Sequence, residues 1–310
     1  MKANISLLGS LALAGLALVG CQKPAEKTAE KTAATTGSTA ASTTASSSTE
    51  TSSSMAGKTI RIATEGTYKP FSITKADGSL TGFDVDFIRA LCAEMKANCE
   101  IKPQDWDGLL PGLMAKKYDV VIDAMSITPE RQAQVDFTDP YFTNTLVFLT
   151  KQGSPINPDD PAQIDSHTVA AQRSTLSTQW MEKNHPKAQL NLYEGLDNAF
   201  MDLAAGRSDL MISDKAPAAY WLTTPEGKGF EIKGKEIDVN DKMGIIVRKG
   251  DPLRLEFNKA IATLKSNGTY DKIYNQYFGS ATTTTAAASN VAVTVSSSTT
   301  TTTTVASTSK

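Results

Sequence analysis

The sequence predicts an α/β fold of open sheets with flanking helices, on the strength of three observations. Short runs rich in β-branched residues, such as Thr59–Thr64, alternate with stretches of helical apolar spacing, which is typical of parallel βαβ units. The alternation occurs on both sides of an extended run at residues 145–150, so we expect two lobes. No apolar run reaches the roughly 18 residues that a membrane-spanning helix needs.

In the first half, the strand Thr59–Thr64 leads into a turn that contains Gly66 and Pro70. A helix with Asp84 in its first turn follows, predicted from apolar residues that recur every four positions: Phe83, Phe87, Leu91 and Met95. We predict a strand at 100–102, a helix at 109–116 and a buried strand at 119–123, and Pro129 suits the first turn of another helix.

The second half repeats the alternation. Strands are predicted at 169–171, 190–193 and 210–213, and helices at 174–184, at 198–205 and from Asp214 onward. A strand at 243–248 precedes the long helix Leu253–Ser266, which Asn267 and Gly268 end. The pattern alone leaves open which lobe this last segment joins.

The two ends of the chain differ in composition from its middle. Lys2 and the apolar residues 5–19 predict a signal peptide over 1–20, and its end, Leu18-Val19-Gly20-Cys21, resembles the bacterial lipobox. We expect a lipidated Cys21 that anchors the protein without spanning the membrane; the alternative is a plain secretory signal with Cys21 incidental. Residues 21–57 and the Thr/Ser/Ala-rich residues 280–310 are predicted to be disordered.

Charge and histidine content exclude several classes of function. Residues 58–279 hold 26 basic and 30 acidic side chains, a net charge of −4, whereas a general nucleic-acid binder needs a basic surface. The chain has two histidines, so we expect no His-rich metal site, no metal and no cofactor.

Two cysteines remain once Cys21 is set aside. Cys92 lies on the first predicted helix and Cys99 begins the next strand, so a disulfide would fix the turn between them in an exported protein. The alternative, a catalytic thiol, needs a histidine and a third orienting group, and neither His167 nor His185 lies in a recognisable motif. We therefore predict the disulfide and no catalytic residue.

Eight segments together resemble the polar amino-acid solute-binding proteins of bacterial ABC importers, and most closely their lysine/arginine/ornithine-binding and arginine-binding members. The segments are TYKPF (67–71), GFDVD (82–86), DWDGL (105–109), SITPER (126–131), DFTDPY (136–141), NAFMDL (198–203), GRSD (206–209) and NGTYD (267–271). Each motif alone is weak, but all of them occur in the family's order and spacing.

The resemblance implies a periplasmic-binding-protein fold, in which a two-strand hinge joins two lobes around a ligand cleft. Lobe one would comprise 58–144 and 243–279, because the family's last segment returns to it, and lobe two 145–242. The Cys92–Cys99 spacing also matches the family. A monomer on the periplasmic or cell-surface side would deliver a polar amino acid to an ABC permease. A dehydratase-like enzyme of the same fold and a sensory lipoprotein are the alternatives.

The resemblance also assigns residues to the backbone groups of the ligand. Arg131 would donate two parallel hydrogen bonds to the α-carboxylate. Ser126 and the backbone of Ala124 would contact the ammonium and the carboxylate. Thr175, at the head of a helix, would bind the carboxylate. Asp214 would receive the α-ammonium, and capping the following helix is a compatible alternative role.

Four further residues would contact the ligand side chain. Tyr68 and Trp106 match the aromatic pair that encloses it, and Glu65 and Asp123 would face its far end, unless Asp123 turns outward from its strand. Glu65, Asp123 and Asp214 against one arginine give the site a charge of −2. This favours a cationic amino acid, first arginine and then lysine or ornithine, because two carboxylates can hold several guanidinium N–H donors.

One departure from the family lies at the rim of the expected cleft. Arg173 stands where relatives often have glycine, and it either narrows the cleft entrance or lies on the surface.

Overall fold

The computed structural model describes residues 55–279. The predicted signal peptide, the lipidation of Cys21, nearly all of the predicted linker and the tail 280–310 lie outside the described residues. The described chain begins three residues before the expected boundary at Lys58. Met55 is buried in the core, and the N–H of Gly57 donates to the carbonyl of Lys96 at 2.9 Å.

Between Met55 and Gly279 the chain alternates strands and helices. The strands are β1 (Thr59–Thr64), β2 (Ile73–Thr74), β3 (Leu80–Thr81), β4 (Asn98–Pro103), β5 (Val120–Val121), β6 (Val135–Phe137), β7 (Phe142–Lys151), β8 (Thr168–Gln172), β9 (Gln189–Tyr193), β10 (Leu210–Asp214), β11 (Phe230–Met243) and β12 (Ile246–Arg248). The helices are α1 (Phe83–Glu94), α2 (Leu109–Met114), α3 (Pro129–Gln134), α4 (Pro161–Asp165), α5 (Leu176–Asn184), α6 (Leu196–Ala204), α7 (Lys215–Leu222), α8 (Leu253–Ser266) and α9 (Thr269–Phe278).

Ten of the strands form two mixed five-stranded sheets, which confirms the predicted fold class, and β2 and β3 pair with each other. The first sheet has the order β4-β1-β5-β12-β6, with β4, β1 and β5 parallel and β12 antiparallel to both of its neighbours. The second has the order β11-β7-β10-β8-β9, with β10, β8 and β9 parallel and β7 antiparallel to its neighbours. We call the elements packed on each sheet the first lobe and the second lobe.

Two long strands connect the lobes. β7 and β11 pair antiparallel, with Phe142 opposite Met243 and Asn144 opposite Asp241. The predicted single strand at 243–248 is wrong, because Met243 ends the ladder with β7 whereas Ile246 pairs with β5 and β6. The chain changes sheets at Gly244, where a Cβ atom would lie 3.1 Å from Ile127 and Phe137 side-chain atoms.

The helices bury the faces that their spacing predicts. Phe83, Phe87 and Leu91 of α1 are fully buried, and α8 and α9 pack against this helix. The sequence pattern did not identify α9, which Gly268 permits by adopting a φ of 78° directly after α8. Helix α9 contributes the rings that close an aromatic cluster on α1: Tyr270, Tyr274, Tyr277 and Phe278.

The predicted disulfide between Cys92 and Cys99 is confirmed and joins α1 to β4. None of the helices in residues 55–279 is both long and apolar enough to cross a membrane.

Candidate functional site

A cavity lies between the two lobes, where parallel strands of both sheets end. Strands β8 and β10 end at Gln172 and Asp214, Glu65 directly follows β1, and Asp123 lies two residues after β5. Ligand sites of open α/β sheets form at the carboxyl ends of strands, because loops and helix N-termini meet there. The gaps between the lining atoms add up to about 380 Å³, a volume that includes open solvent at the mouth of the cleft.

Eight of the nine predicted ligand residues line this cavity, and Glu65 lies behind it. The first lobe contributes Tyr68, Trp106, Asp123, Ala124, Ser126 and Arg131, and the second contributes Gln172, Thr175, Leu176, Ser177, Leu196, Ser213 and Asp214.

The cation of the site is Arg131, the third residue of α3. Thr128 caps this helix by accepting the Arg131 N–H, and Pro129 occupies its first turn as predicted. The side chain of Arg131 is 7% exposed, which excludes a surface role, and burial lowers its pKa to about 10. Its Nη1 donates to the carbonyl of Ser126 at 2.8 Å and its Nη2 to that of Ser174 at 2.9 Å. A guanidinium has five donors, so these two bonds do not exhaust it.

A helix N-terminus faces Arg131 from the second lobe. Thr175 caps α5: its hydroxyl accepts from the Thr178 N–H at 3.3 Å and donates to the Gln172 carbonyl at 2.8 Å. Backbone N–H groups in the first turn of α5 attract an anion. Arg131 and α5 together form a pocket suited to a carboxylate.

Asp214 stands at the end of β10 and precedes α7. It occupies the N-cap position, but its side chain makes no capping hydrogen bond; it accepts instead from the Tyr68 hydroxyl across the cavity. Burial and, after it, the neighbouring Asp241 raise the pKa of Asp214 to about 7. Tyr68 thereby spans the two lobes, and its ring stacks on Phe71 at a centroid distance of 5.8 Å.

Trp106 lies beside Arg131 on the same side of the cleft. Its ring centroid is 5.5 Å from the Arg131 guanidinium carbon, and its Nε1 donates to the Arg173 carbonyl at 3.1 Å. The indole is 9% exposed and also packs in the core of the first lobe. Trp106 therefore combines packing with contact to the cavity.

Two buried acids lie deeper in the first lobe. Asp123 is 1% exposed, so it does not turn outward; its Oδ1 accepts from the hydroxyls of Thr64 and Ser72, both at 2.8 Å. Its Oδ2 is buried with no hydrogen-bond partner among the described residues. Glu65 accepts from the Thr67 hydroxyl at 2.8 Å. Burial raises the pKa of both carboxyls, and repulsion from Asp123 raises that of Glu65 further.

Gln172 of the second lobe contacts one acid of this pair, Glu65. Its Nε2 lies 3.3 Å from both carboxylate oxygens of Glu65 and donates to the Glu194 carbonyl at 2.9 Å. The residue is 2% exposed and ends β8 as Asp214 ends β10. No motif indicates Gln172, although a polar residue directly after a predicted strand is a signal that the sequence contains.

A third buried acid, Asp84, supports the loop that carries Asp123. Its Oδ2 accepts from the Ala124 N–H at 2.6 Å, and the same N–H lies 3.1 Å from the Tyr141 hydroxyl. Ala124 has a φ of 43°, rare for a residue with a side chain. Because its N–H is used here, Ala124 can offer a ligand only its carbonyl oxygen. Burial raises the pKa of Asp84 to about 8.

Two ion pairs connect the lobes at the rim. Arg173 Nη2 lies 2.5 Å from the Asp107 carboxylate, and Lys69 Nζ lies 2.8 Å from that of Asp197. Arg173 was expected either at the cleft entrance or on the surface away from it, and the structure places it at the entrance.

Several known proteins that are similar to this chain are binding proteins. The family model for bacterial extracellular solute-binding proteins, family 3, matches residues 60–280. The chain is 37% identical over 231 residues to the L-arginine-binding protein of Pseudomonas aeruginosa, covering 72% of this chain and 89% of that one. It is 36% identical over 228 residues to the lysine/arginine/ornithine-binding periplasmic protein of Escherichia coli, covering 71% and 88%.

The fold is also that of solved structures. An ancestral arginine-binding protein, 36% identical, covers 71% of this chain and 98% of its own; its arginine-bound structure matches with a TM-score of 0.68 and its glutamine-bound structure with 0.67. These comparisons confirm the resemblance drawn from the eight motifs and the prediction of a binding protein rather than an enzyme.

Proposed function

Because the chain belongs to the bacterial extracellular solute-binding proteins, family 3, we propose that its solute is a cationic amino acid, with L-arginine preferred over lysine and ornithine. The observation that carries the proposal is the buried pair Glu65 and Asp123 behind an aromatic cleft, opposite a carboxylate pocket. The similarity to arginine-binding relatives supports the same ligand class.

The amino-acid backbone fits the two ends of the cleft by charge. The carboxylate lies between Arg131 and the N-terminus of α5, where charge-assisted donors from both lobes converge. The α-ammonium takes the place of the Tyr68 hydroxyl on Asp214. This exchange gives Asp214 a cationic partner and lowers its pKa, since an opposite charge favours the ionised form.

The side chain runs between Tyr68 and Trp106 toward the buried acids. A cation in contact with an aromatic face gains about 0.5–2 kcal/mol per ring. Asp123 Oδ2, buried without a hydrogen-bond partner in the described chain, is the acceptor for the distal cation. A planar guanidinium can reach Asp123 and Glu65 together, whereas an ammonium is a single point charge. We expect a Kd of about 10 nM to 10 μM for arginine.

The proposal includes closure of the lobes and delivery to an ABC permease. Lobe one, 58–144 with 243–279, and lobe two, 145–242, rotate about β7 and β11, and the ligand favours the closed state in proportion to its contacts with both. Cys21 anchors the protein to a membrane on the extracytoplasmic side through its lipid chains. A fall in radius of gyration with arginine, measured by small-angle scattering, would support closure.

The test of the ligand class is calorimetric titration of the purified chain with arginine, lysine, ornithine, histidine, glutamine and glutamate. Arginine is expected to bind most tightly. Glutamine or glutamate binding more tightly than both arginine and lysine would overturn the proposal.

A further inference from the structure

A buried acid that no motif indicated lies directly behind the candidate site. Asp241 is on β11, opposite Asn144 of β7, where the two strands leave the second sheet for the first lobe. It is 5% exposed and faces Ser126, because Ser126 forms a bridge with Met243 two residues further along.

The contacts of Asp241 determine the direction of a hydroxyl in the cleft. Its Oδ2 accepts from Ser126 Oγ at 3.1 Å and from Asn144 Nδ2 at 3.0 Å. A serine hydroxyl has one proton, and here that proton points at Asp241. Toward any further partner, the Ser126 oxygen can therefore only accept.

This restriction distinguishes the two charged groups of an amino acid. An ammonium is a donor and can bind the lone pairs of Ser126, whereas a carboxylate is an acceptor and cannot. The Asn144 amide also lowers the pKa of Asp214, so that one side chain acts on both acids. Ser126 and Asp214 line the cavity and can both accept hydrogen bonds from a ligand, with Asp241 behind Ser126 and Asn144 bonded to Asp241.

The same acid is the main counter-charge of the cation opposite. Burial disfavours the charged form of Arg131. Among the charged neighbours of Arg131, Asp241 stabilises that form most, followed by Asp214 and Glu130. Removal of the Asp241 charge therefore leaves Arg131 less compensated and more attractive to a ligand carboxylate.

We propose that Asp241 is a positioning residue that makes the cleft specific for ligands with an α-ammonium group, by holding the Ser126 hydroxyl as an acceptor. The inference rests on the proposed function and concerns which backbone groups of the ligand are required. Asp241 acts through Ser126 and Asn144.

The test compares two ligands that differ only at the α-carbon: L-arginine and 5-guanidinopentanoate, which lacks the α-ammonium. Asp241→Asn keeps the shape and an acceptor oxygen but removes the charge, and Asp241→Leu removes the acceptor. For arginine we expect an affinity loss of about fivefold in the first and tenfold or more in the second. The affinity for 5-guanidinopentanoate should stay constant or rise, because Arg131 loses its counter-charge.

The deciding quantity is the ratio of the two dissociation constants, which a general folding defect does not change. Asp238→Asn is the matched control, since Asp238 lies on the same strand but is exposed. The inference would be overturned if the Asp241 variants bound arginine and 5-guanidinopentanoate more weakly by the same factor, which leaves the ratio of the two dissociation constants unchanged. If Asp241→Leu does not fold, the ratio in Asp241→Asn decides. Failure of the wild type to bind arginine, visible before any variant is compared, would overturn the proposed function itself.

Discussion

Replacement of Asp123 by asparagine removes the negative charge that we propose binds the cationic end of the ligand, and it keeps the shape of the side chain. The amide oxygen can still accept from the hydroxyls of Thr64 and Ser72, which bind Asp123 Oδ1 at 2.8 Å. The atom that changes is Oδ2, which is buried and lacks a hydrogen-bond partner in residues 55–279.

The expected loss of arginine affinity depends on the Oδ2 atom of Asp123 and on the neighbouring Glu65. Loss of one charge-assisted hydrogen bond costs about 1.5–3 kcal/mol, so arginine affinity should fall about ten- to a hundredfold. In the wild type, burial raises the pKa of both acids and repulsion from Asp123 raises that of Glu65 further, and bound arginine stabilises both ionised forms. Wild-type affinity should therefore be highest above the raised pKa values and fall as pH decreases from 8 to 6.

In the variant, Glu65 ionises more readily because its neighbour is neutral, which offsets part of the loss near neutral pH. The affinity deficit should therefore be larger at pH 8 than at pH 6.

The assay is calorimetric titration of arginine and of its neutral isostere citrulline, on wild type and Asp123→Asn, at pH 6 and pH 8. Asp139→Asn is the control, an exposed acid of the same lobe. Citrulline affinity should change little, or rise. An arginine affinity equal to wild type at pH 8, or an equal loss for both ligands with a lower apo melting temperature, would refute the assignment of Asp123 to the ligand side chain.

Three further predictions concern the rim, the disulfide and the buried acid under Ala124. Arg173→Gly removes the ion pair with Asp107, in which the two side chains are 43% and 35% exposed. Because exposed ion pairs contribute little, the Kd for arginine should rise less than about fivefold and should depend less on salt concentration. A tenfold rise in Kd would contradict this. The double change Cys92→Ser, Cys99→Ser opens a short loop and should lower stability by about 2–3 kcal/mol in denaturant titration, with arginine affinity within about twofold of wild type. Burial raises the pKa of Asp84 to about 8, so the stability that the protonated carboxyl contributes is full at low pH and is lost as pH rises through that value. The melting temperature of the ligand-free protein should therefore fall between pH 5 and pH 8.5, and it should fall less in Asp84→Asn.

Sequence motifs predict most of the residues that line the cavity, because these residues follow strand ends and helix starts. Arg131 is part of a local helix-start pattern with Thr128 and Pro129, and Asp214 directly follows a buried strand. Such signals are short-range, so they survive in a single sequence. The alternation of strands and helices likewise predicted the two sheets.

The missed features depend on contacts between distant parts of the chain. Asp241 reaches Ser126 only because the chain changes sheets after Met243, and no local pattern marks that crossing. Gly244 fits there for its small size, a property that spacing does not display. Helix α9 has rings four residues apart, but it begins directly after Gly268, which correctly predicts the end of α8 and gives no sign that a second helix follows.

Counting charges from the sequence also gave an incomplete electrostatic description. The count of −2 treated Glu65 and Asp123 as fully ionised and left out Asp84 and Asp241. Burial raises the pKa of all four carboxyls, so the charge of the site depends on pH and on the ligand. Side-chain burial follows from tertiary packing and cannot be obtained from composition.

The cleft is proposed to recognise a positive charge at the far end of its ligand. Competitive calorimetry of L-arginine against L-citrulline at pH 8 tests it most directly, because the two differ in charge and hardly in shape. Arginine should bind at least about a hundredfold more tightly, which corresponds to two charge-assisted hydrogen bonds to the buried acids. Citrulline binding as tightly as arginine would contradict it.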